Sequence, residues 1–242
     1  VAIFLFSDFG ASDLYVGQVE AVLDRHAPGV RVIHLLNEAP RFDPRASAHL
    51  LAALAAGLGR GHVVLGVVDP GVGTDRAGVV ARIDGRWFVG PDNGLFSVAA
   101  ARAAARGYWR IVRTPPGVAA TFHGRDVFAP LAAAIAAGDF PNENVAPVSA
   151  LAVEFGGEER AEVIYVDHYG NAWTGLRGKG RARDRLLVVA GHTLAHARVF
   201  GEAPAGTAFW YENSSGLVEV AVNRGSAASV LGLAVGTPVA WA

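Results

Sequence analysis

The sequence predicts an α/β fold: an amino-terminal α/β domain with a central, mostly parallel sheet, followed by a small carboxy-terminal antiparallel β-barrel. Three observations predict it. Over roughly the first 140 residues, short apolar runs alternate with helical patterns, as they do in βα units. Residues 139–160, DFPNENVAPVSALAVEFGGEER, then carry Pro, Asn and Gly at close intervals with no sustained period. A boundary inside that stretch divides the chain into domains 1–148 and 149–242. Beyond it, short strand-like runs are separated by turn residues.

In order, VAIFLFSD is continuously apolar and reads as a first strand buried on both faces. SDLYVGQVEAVLDRHAPG puts Tyr15, Val19, Val22, Leu23 and His26 on one helical face, with Ser12 or Asp13 as cap and Pro28-Gly29 as stop. VRVIHLL is the next strand. DPRASAHLLAALAAGLG is a helix opened by Asp43 with Pro44 in its first turn. HVVLGVVD is the third strand, and GVVARIDGRWFVGPD is a hairpin about Asp84-Gly85. An Ala/Arg helix to about Arg106, the strand YWRIV and the helix GRDVFAPLAAAIAAG, with Pro130 near its start, complete this half. In the second half AEVIYVD, RLLVVAGHTL, HARVF, AFWYEN, GLVEVAVN and TPVAWA read as strands.

Composition narrows the function classes. A chain of 242 residues buries a large core unaided. Its hydrophobic fraction is 52%, but polar residues interrupt every apolar run before the ~18 to 20 residues a bilayer span needs. With 21 basic and 22 acidic residues and no dominant Lys/Arg block, neither nucleic acid nor an anionic membrane is the expected partner; a small molecule is. The absence of cysteine excludes disulfides, thiolate metal ligands and thiol catalysis. No secretory leader is recognisable, so the expected setting is cytoplasmic.

In open α/β sheets, ligands gather beyond the carboxyl ends of strands. Asp8, Asp69 and Asp92-Asn93 end three of the predicted strands, placing acids on one edge. His123 and Asp126 in TFHGRD precede the last helix of this half, where backbone N–H groups favour negative charge. VVDPGVGTDR runs an apolar strand into Asp69, a Pro-Gly-Val-Gly turn and Arg76. Each residue also has a plain structural reading: a strand-end aspartate caps turns, Asp126 is a helix N-cap, and His123 or Arg76 alone is an ordinary surface or helix-entry residue. Only their convergence marks a site, and spacing alone does not name a reaction.

SDFG with DLYVG, VVDPGVGTDR, GPDNGLFS, TFHGRDVFAP, VDHYGNAWTG and NSSGLVEVAVN together closely resemble the S-adenosyl-L-methionine hydroxide adenosyltransferase family, relatives of the bacterial fluorinase and chlorinase. The likeness spans essentially the whole chain. It implies a homotrimer with active sites between subunits, no metal and no organic cofactor. The implied reaction is attack of water or hydroxide on C5′ of S-adenosyl-L-methionine, giving adenosine and L-methionine. Asp69, Arg76 and His123 fall on the residues that serve the water, and Asp8 on the aspartate that accepts from both ribose hydroxyls. Phe42 falls beside the ribose and sulfonium, with simple packing an equal alternative, and Phe122 is a further substrate-binding residue. In the second half Asp167, Tyr169, Asn171, Trp173, Tyr211 and Ser214 fall on the adenine and methionine contacts, with simple barrel packing an alternative for Trp173.

Two departures from the fluorinase pattern point to water rather than halide. Asp69 stands where that enzyme carries tyrosine, and His123-Gly124 stand where it has tyrosine and a halide-binding serine. A halide would face Asp69 as a like charge, costing several kcal/mol in a dry pocket. A third departure concerns the methionine carboxylate. Ser215 replaces the fluorinase arginine, leaving Ser214, backbone N–H groups or Arg224 to hold it. The competing classes are a chlorinase-like enzyme, a metal-dependent hydrolase built on Asp8, Asp69 and His123, and a non-catalytic nucleoside sensor.

Overall fold

The computed structural model describes residues 1–242, which divide into two compact units, Val1–Gly157 and Glu158–Ala242. The first holds a seven-stranded sheet in the order β2-β1-β3-β5-β4-β6-β7. Its strands are β1 (Ala2–Ser7), β2 (Arg31–Leu36), β3 (Val63–Val67), β4 (Gly78–Ile83), β5 (Arg86–Pro91), β6 (Arg106–Ile111) and β7 (Val145–Val148). Strands β2, β1, β3 and β5 pair in parallel; β4, β6 and β7 extend the sheet antiparallel. The chain leaves β1 to one side for β2 and returns to its other side for β3. The carboxyl ends of β1 and β3 therefore flank a topological switch point, the crevice where α/β sheets bind ligands.

Burial follows from the sequence pattern. Every residue of β3 is buried, as a central parallel strand requires. Alternate residues Ile3, Leu5, Val63, Leu65 and Val67 join Val16, Val19 and Leu23 of α1 (Leu14–His26) and Leu131, Ala132 and Ile135 of α4 (Ala129–Ala137) in one cluster. Helix α1 begins where the Asp13 carboxylate accepts from Leu14 N at 2.6 Å, and α2 (Pro44–Ala56) where Asp43 accepts from Ala46 N at 2.9 Å. These are the predicted caps, each satisfying one of the free N–H groups of a first turn.

Several elements differ from the sequence expectation. The Ala/Arg helix is only α3 (Ser97–Arg102), because Arg106 already opens β6. The last helix begins with a π-helical turn, Gly124–Phe128. Asp126 is not its N-cap: it accepts from Ala119 N at 2.9 Å and pairs with Arg125 at 2.6 Å, and that hydrogen bond holds its carboxyl below the usual range. The boundary stretch contains β7, an edge strand that tolerates Pro147 where the ladder needs no donor. Residues 149–157 belong to the first unit rather than the second. Ala152 N donates to both oxygens of Asp92 at 3.0 and 3.1 Å, Phe155 N to Ser97 Oγ at 3.1 Å, and Arg102 Nε to the Gly157 carbonyl at 3.0 Å.

The second unit contains the antiparallel sheet β12-β13-β9-β8 and a three-stranded sheet β11-β10-β14. Its strands are β8 (Arg160–Val166), β9 (Ala172–Arg177), β10 (Leu187–Val189), β11 (His192–Leu194), β12 (Ala208–Glu212), β13 (Leu217–Val222) and β14 (Val239–Trp241). Two isolated bridges, Glu162 with Pro238 and His196 with Trp210, join the sheet edges into a ring around Val163, Leu187, Trp210, Val218 and Val220. Closure of this kind leaves few free edges. Four elements depart from the sequence reading. RLLVVAGHTL is not one strand but the hairpin β10–β11, turning at Ala190 and Gly191, both at positive φ. AWTGLR is the unforeseen strand β9. HARVF is not a strand, since His196 makes a single bridge and Phe200–Glu202 is a 3-10 turn. A short helix α5 (Ala227–Leu231) begins at Ser226, whose Oγ accepts from Ser229 N at 3.1 Å.

Candidate active site

The first unit carries a cavity of about 570 Å³ at the ends of β1 and β3, lined by Asp8, Phe9, Arg41, Phe42, Asp69, Phe122 and His123 among others. The backbone fixes its floor. Ser7 pairs with Val67 in the parallel register, so Asp8 leaves the sheet beside the residues leading to Asp69. Beneath it a chain of side-chain hydrogen bonds runs from Ser7 Oγ to Asn37 Oδ1 (3.2 Å), from Asn37 Nδ2 to His34 Nδ1 (2.8 Å), and from His34 Nε2 to Glu20 (2.7 Å). Gly10 N to the Asn37 carbonyl (2.7 Å) and Ala39 N to the Ser7 carbonyl (3.0 Å) lace together the loops after β1 and β2.

Asp8 Oδ2 accepts from Phe42 N at 3.2 Å. Phe42 itself sits at φ 58° with 76% of its surface exposed. A bulky residue at positive φ with its ring largely in solvent is an uncommon arrangement. Burial raises the Asp8 carboxyl above its ordinary pKa, and the neighbouring Asp69 charge adds to the shift.

The segment 69–76 folds back on itself. Val72 N donates to the Asp69 carbonyl (3.2 Å), Thr74 Oγ1 to the Gly71 carbonyl (2.7 Å) and Arg76 N to Thr74 Oγ1 (3.3 Å). Gly73 lies at φ 79°, and a Cβ there would come within 2.7 Å of the Ala120 carbonyl oxygen, so only glycine permits this turn to meet the 120–123 loop. The result is a bidentate pair: Arg76 Nε donates to Asp69 Oδ1 at 2.9 Å and Nη2 to Oδ2. Nη1 donates to the Ala77 carbonyl at 2.8 Å, and Nη2 reaches His123 Nδ1 at 3.4 Å. The side chains of Arg76 and Asp69 are only 10% and 5% exposed. Arg76 lies over the Phe128 ring at 5.4 Å, so the π-helical turn and the Asp69 loop are locked to each other. Because a guanidinium only donates, His123 Nδ1 accepts and the proton of the neutral ring resides on Nε2.

The second unit carries a cavity of about 710 Å³ lined by Asp167, Tyr169, Asn171, Trp173, Tyr211, Ser214 and Arg224 among others. Asp167 follows β8 and organises the turn into β9, its Oδ1 accepting from Tyr169 N and Asn171 N, both at 2.9 Å. Asn171 Nδ2 donates to Asp167 Oδ2 at 3.2 Å. Tyr169 is 76% exposed. Trp173 lines the cavity and stacks edge-on with Tyr165 at 6.1 Å; its buried Nε1 has no hydrogen-bond partner. Asn213 Oδ1 accepts from Ser215 N (2.9 Å) and Leu217 N (3.0 Å), shaping the turn that presents Ser214.

Asp8, Phe42, Asp69, Phe122 and His123 line the first cavity and Arg76 is hydrogen-bonded to Asp69, while Asp167, Tyr169, Asn171, Trp173, Tyr211, Ser214 and Arg224 line the second; Asn93 and Asp126 line neither. Arg41, Tyr15, Asn213 and Glu219 were missed. Glu219 had a visible signal: it is the one charged residue in the otherwise apolar run LVEVAV. Asp92 sits at the same sheet edge as Asp8 and Asp69 but serves residues 149–157 instead of a cavity.

The SAM hydroxide adenosyltransferase N-terminal domain matches residues 3–145, and the C-terminal domain of the same family matches residues 161–240. The chain belongs to the SAM hydroxide adenosyltransferase family. It is 43% identical to a Thermus thermophilus protein named (R)-S-adenosyl-L-methionine hydrolase, over 98% of both chains. It is 38% identical to a protein of that name from Salinispora arenicola, over 95% of this chain and 93% of the relative. A solved structure of an uncharacterized conserved protein from Thermotoga maritima shares the fold at a TM-score of 0.89 and 29% identity, over 99% of both chains. A conserved hypothetical protein from Thermus thermophilus matches at a TM-score of 0.78 and 39% identity, over 100% of this chain and 99% of the other. In this SAM hydroxide adenosyltransferase no group of three or more His, Cys, Asp or Glu side chains is placed to hold a metal ion, and no helix is long and apolar enough to cross a membrane.

Proposed function

We propose that the protein hydrolyses S-adenosyl-L-methionine to adenosine and L-methionine, taking the (R) sulfonium epimer that its relatives' names specify. The C5′–S bond breaks as a C5′–O bond forms. The bonding pair leaves with sulfur, which departs as a neutral thioether, and one proton is released. No acid is needed for this leaving group, so the catalytic demand lies on the nucleophile. The observation that carries the reading is the Asp69–Arg76–His123 constellation beside Asp8 on one cavity.

The roles follow from hydrogen-bond inventory. Asp8, with two acceptor oxygens, suits a vicinal diol, and Phe42 and Phe122 wall the ribose and sulfonium. Arg76 occupies one lone pair on each Asp69 oxygen, leaving the others to accept from water. With its Nδ1 engaged by Arg76, neutral His123 has only Nε2–H to offer, as a donor that orients the same water. Asp69 is then the proton acceptor. Free water has a pKa of ~15.7. General-base help is worth about 10²–10⁴-fold, whereas alignment opposite sulfur supplies up to ~7–11 kcal/mol. Alignment is the larger contribution.

Asp167, Tyr169, Asn171, Trp173, Tyr211 and Ser214 bind the adenine and methionine ends, in a cytoplasmic homotrimer with active sites between subunits. The reaction needs no cofactor. Incubation with S-adenosyl-L-methionine, with and without chloride, followed by product identification, tests the assignment. Adenosine and methionine in both conditions support it; 5′-chloro-5′-deoxyadenosine, or binding without turnover, would sink it. Stoichiometric metal in the purified protein, with activity lost to a chelator, would replace it with a metal-dependent hydrolase.

A further inference from the structure

A third cavity, of about 330 Å³, opens in the second unit and shares only Asn213 with the larger one. Its wall is cationic: Arg181, Arg183 and Arg198 line it, with His196 and a single carboxylate, Glu212. Three guanidinium groups lining one small space repel each other unless an anion joins them.

Two of the three are held from outside the cavity. Arg181 donates from Nη2 to Glu159 and from Nε to the Arg177 carbonyl at 3.2 Å, and its guanidinium lies over the Trp241 ring at 5.4 Å. Arg198 donates from its backbone N and from Nε to Glu202, at 2.7 and 3.2 Å. These contacts engage neither Nη1 of Arg181 nor the two terminal nitrogens of Arg198, which keep their N–H groups for a ligand. Arg183 makes no ion pair and no hydrogen bond. His196 is fixed by Trp210, its ring edge-on at 4.6 Å and its backbone bridged to the same residue. Burial pushes the imidazole pKa down and the Arg183 charge adds to the shift, so near neutral pH the ring supplies a donor without adding charge. Glu212 ends β12, and its carboxylate, also without a partner, is an acceptor set among these donors.

We propose that this cavity binds a hydrogen phosphate group, whose anionic oxygens accept from Arg181, Arg183, Arg198 and His196 and whose P–OH donates to Glu212. Arginine forks match the geometry of phosphate oxygens. The carboxylate sets the selectivity, because sulfate near neutral pH has no proton to give and would meet Glu212 oxygen to oxygen. The site rests neither on the proposed hydrolysis nor on the larger cavity's taking a nucleoside.

The test is calorimetric titration of wild type, Arg183→Ala and Glu212→Gln with inorganic phosphate, sulfate and glycerol phosphate at fixed ionic strength, each protein checked by melting temperature. Wild type should bind about one phosphate per chain with a Kd of about 1 mM or tighter, and sulfate about tenfold or more weakly. Arg183 is exposed, so Arg183→Ala should melt as wild type does. It should lose about tenfold or more of the phosphate affinity, the worth of a hydrogen bond from a charged donor. Glu212→Gln, whose amide can donate to an oxyanion, should bring sulfate within about threefold of phosphate. No phosphate binding by wild type, an affinity unchanged in Arg183→Ala, or a phosphate-to-sulfate ratio unchanged in Glu212→Gln overturns the proposal. Binding of all three anions that weakens alike with added salt would mark a diffuse field rather than a site, and overturns it too. Glycerol phosphate binding more tightly than phosphate supports the site with an ester as its ligand; weaker binding supports it with the free ion.

Discussion

Asp69, Arg76 and His123 meet as the sequence suggested, yet how they meet was not legible in it. The bidentate geometry, and the tautomer of His123 that follows from it, depend on the 69–76 segment reversing direction through a glycine that touches Ala120. Removing the acceptor by Asp69→Ala should lower kcat by about 10²–10⁴-fold with little change in KM, as expected of a group acting on the nucleophile. Asp8 makes a different prediction. Burial raises its folded-state pKa, so the stability it contributes is present in acid and lost as pH rises through that raised value. Asp8→Asn should therefore raise the melting temperature at neutral pH but not in acid. The same substitution should raise KM about 10- to 100-fold, the cost of losing a hydrogen bond to a charged acceptor. Stability gained and affinity lost in one variant would show that the carboxylate is kept for binding.

At the scale of elements, what the sequence showed depended on how long a pattern lasted. Helices α1 and α2, with their side-chain caps, stand where periodicity put them, although α1 buries Val16, Val19 and Leu23 and leaves Tyr15 and His26 of the expected face exposed. The missed elements are short or lack a period. β9 contains Gly175, where a Cβ would lie 2.5 Å from the Arg160 carbonyl oxygen, so the residue that hides the strand is required by close packing against β8. β7 hides behind Pro147, and the π-helical turn has no sequence signature of its own. The turn after β3 is the element on which the proposed alignment depends. Gly73→Ala should strain it by roughly 1–3 kcal/mol, displace Asp69 and Arg76 from His123, and lower kcat at least tenfold while leaving adenosine binding within about twofold. Unchanged kcat would mean the turn does not set the alignment.

For the whole molecule, polar residues assigned to one small ligand are distributed over two cavities, one in each compact unit. Composition had already pointed to a small partner, since a net charge of −1 without a basic block offers no electrostatic footprint for a polyanion. Light scattering should give three times the mass of the 25.2 kDa chain if the proposed trimer forms. Turnover per chain should then fall on dilution below the assembly constant. The central claim is that Asp69, Arg76 and His123 aim a water molecule at C5′, and hydrolysis in oxygen-18 water tests it most directly. The account predicts adenosine carrying the heavy oxygen in its 5′-hydroxyl, formed by wild type and almost abolished in Asp69→Ala. Unlabelled adenosine, or label incorporated equally fast by the variant, would contradict it.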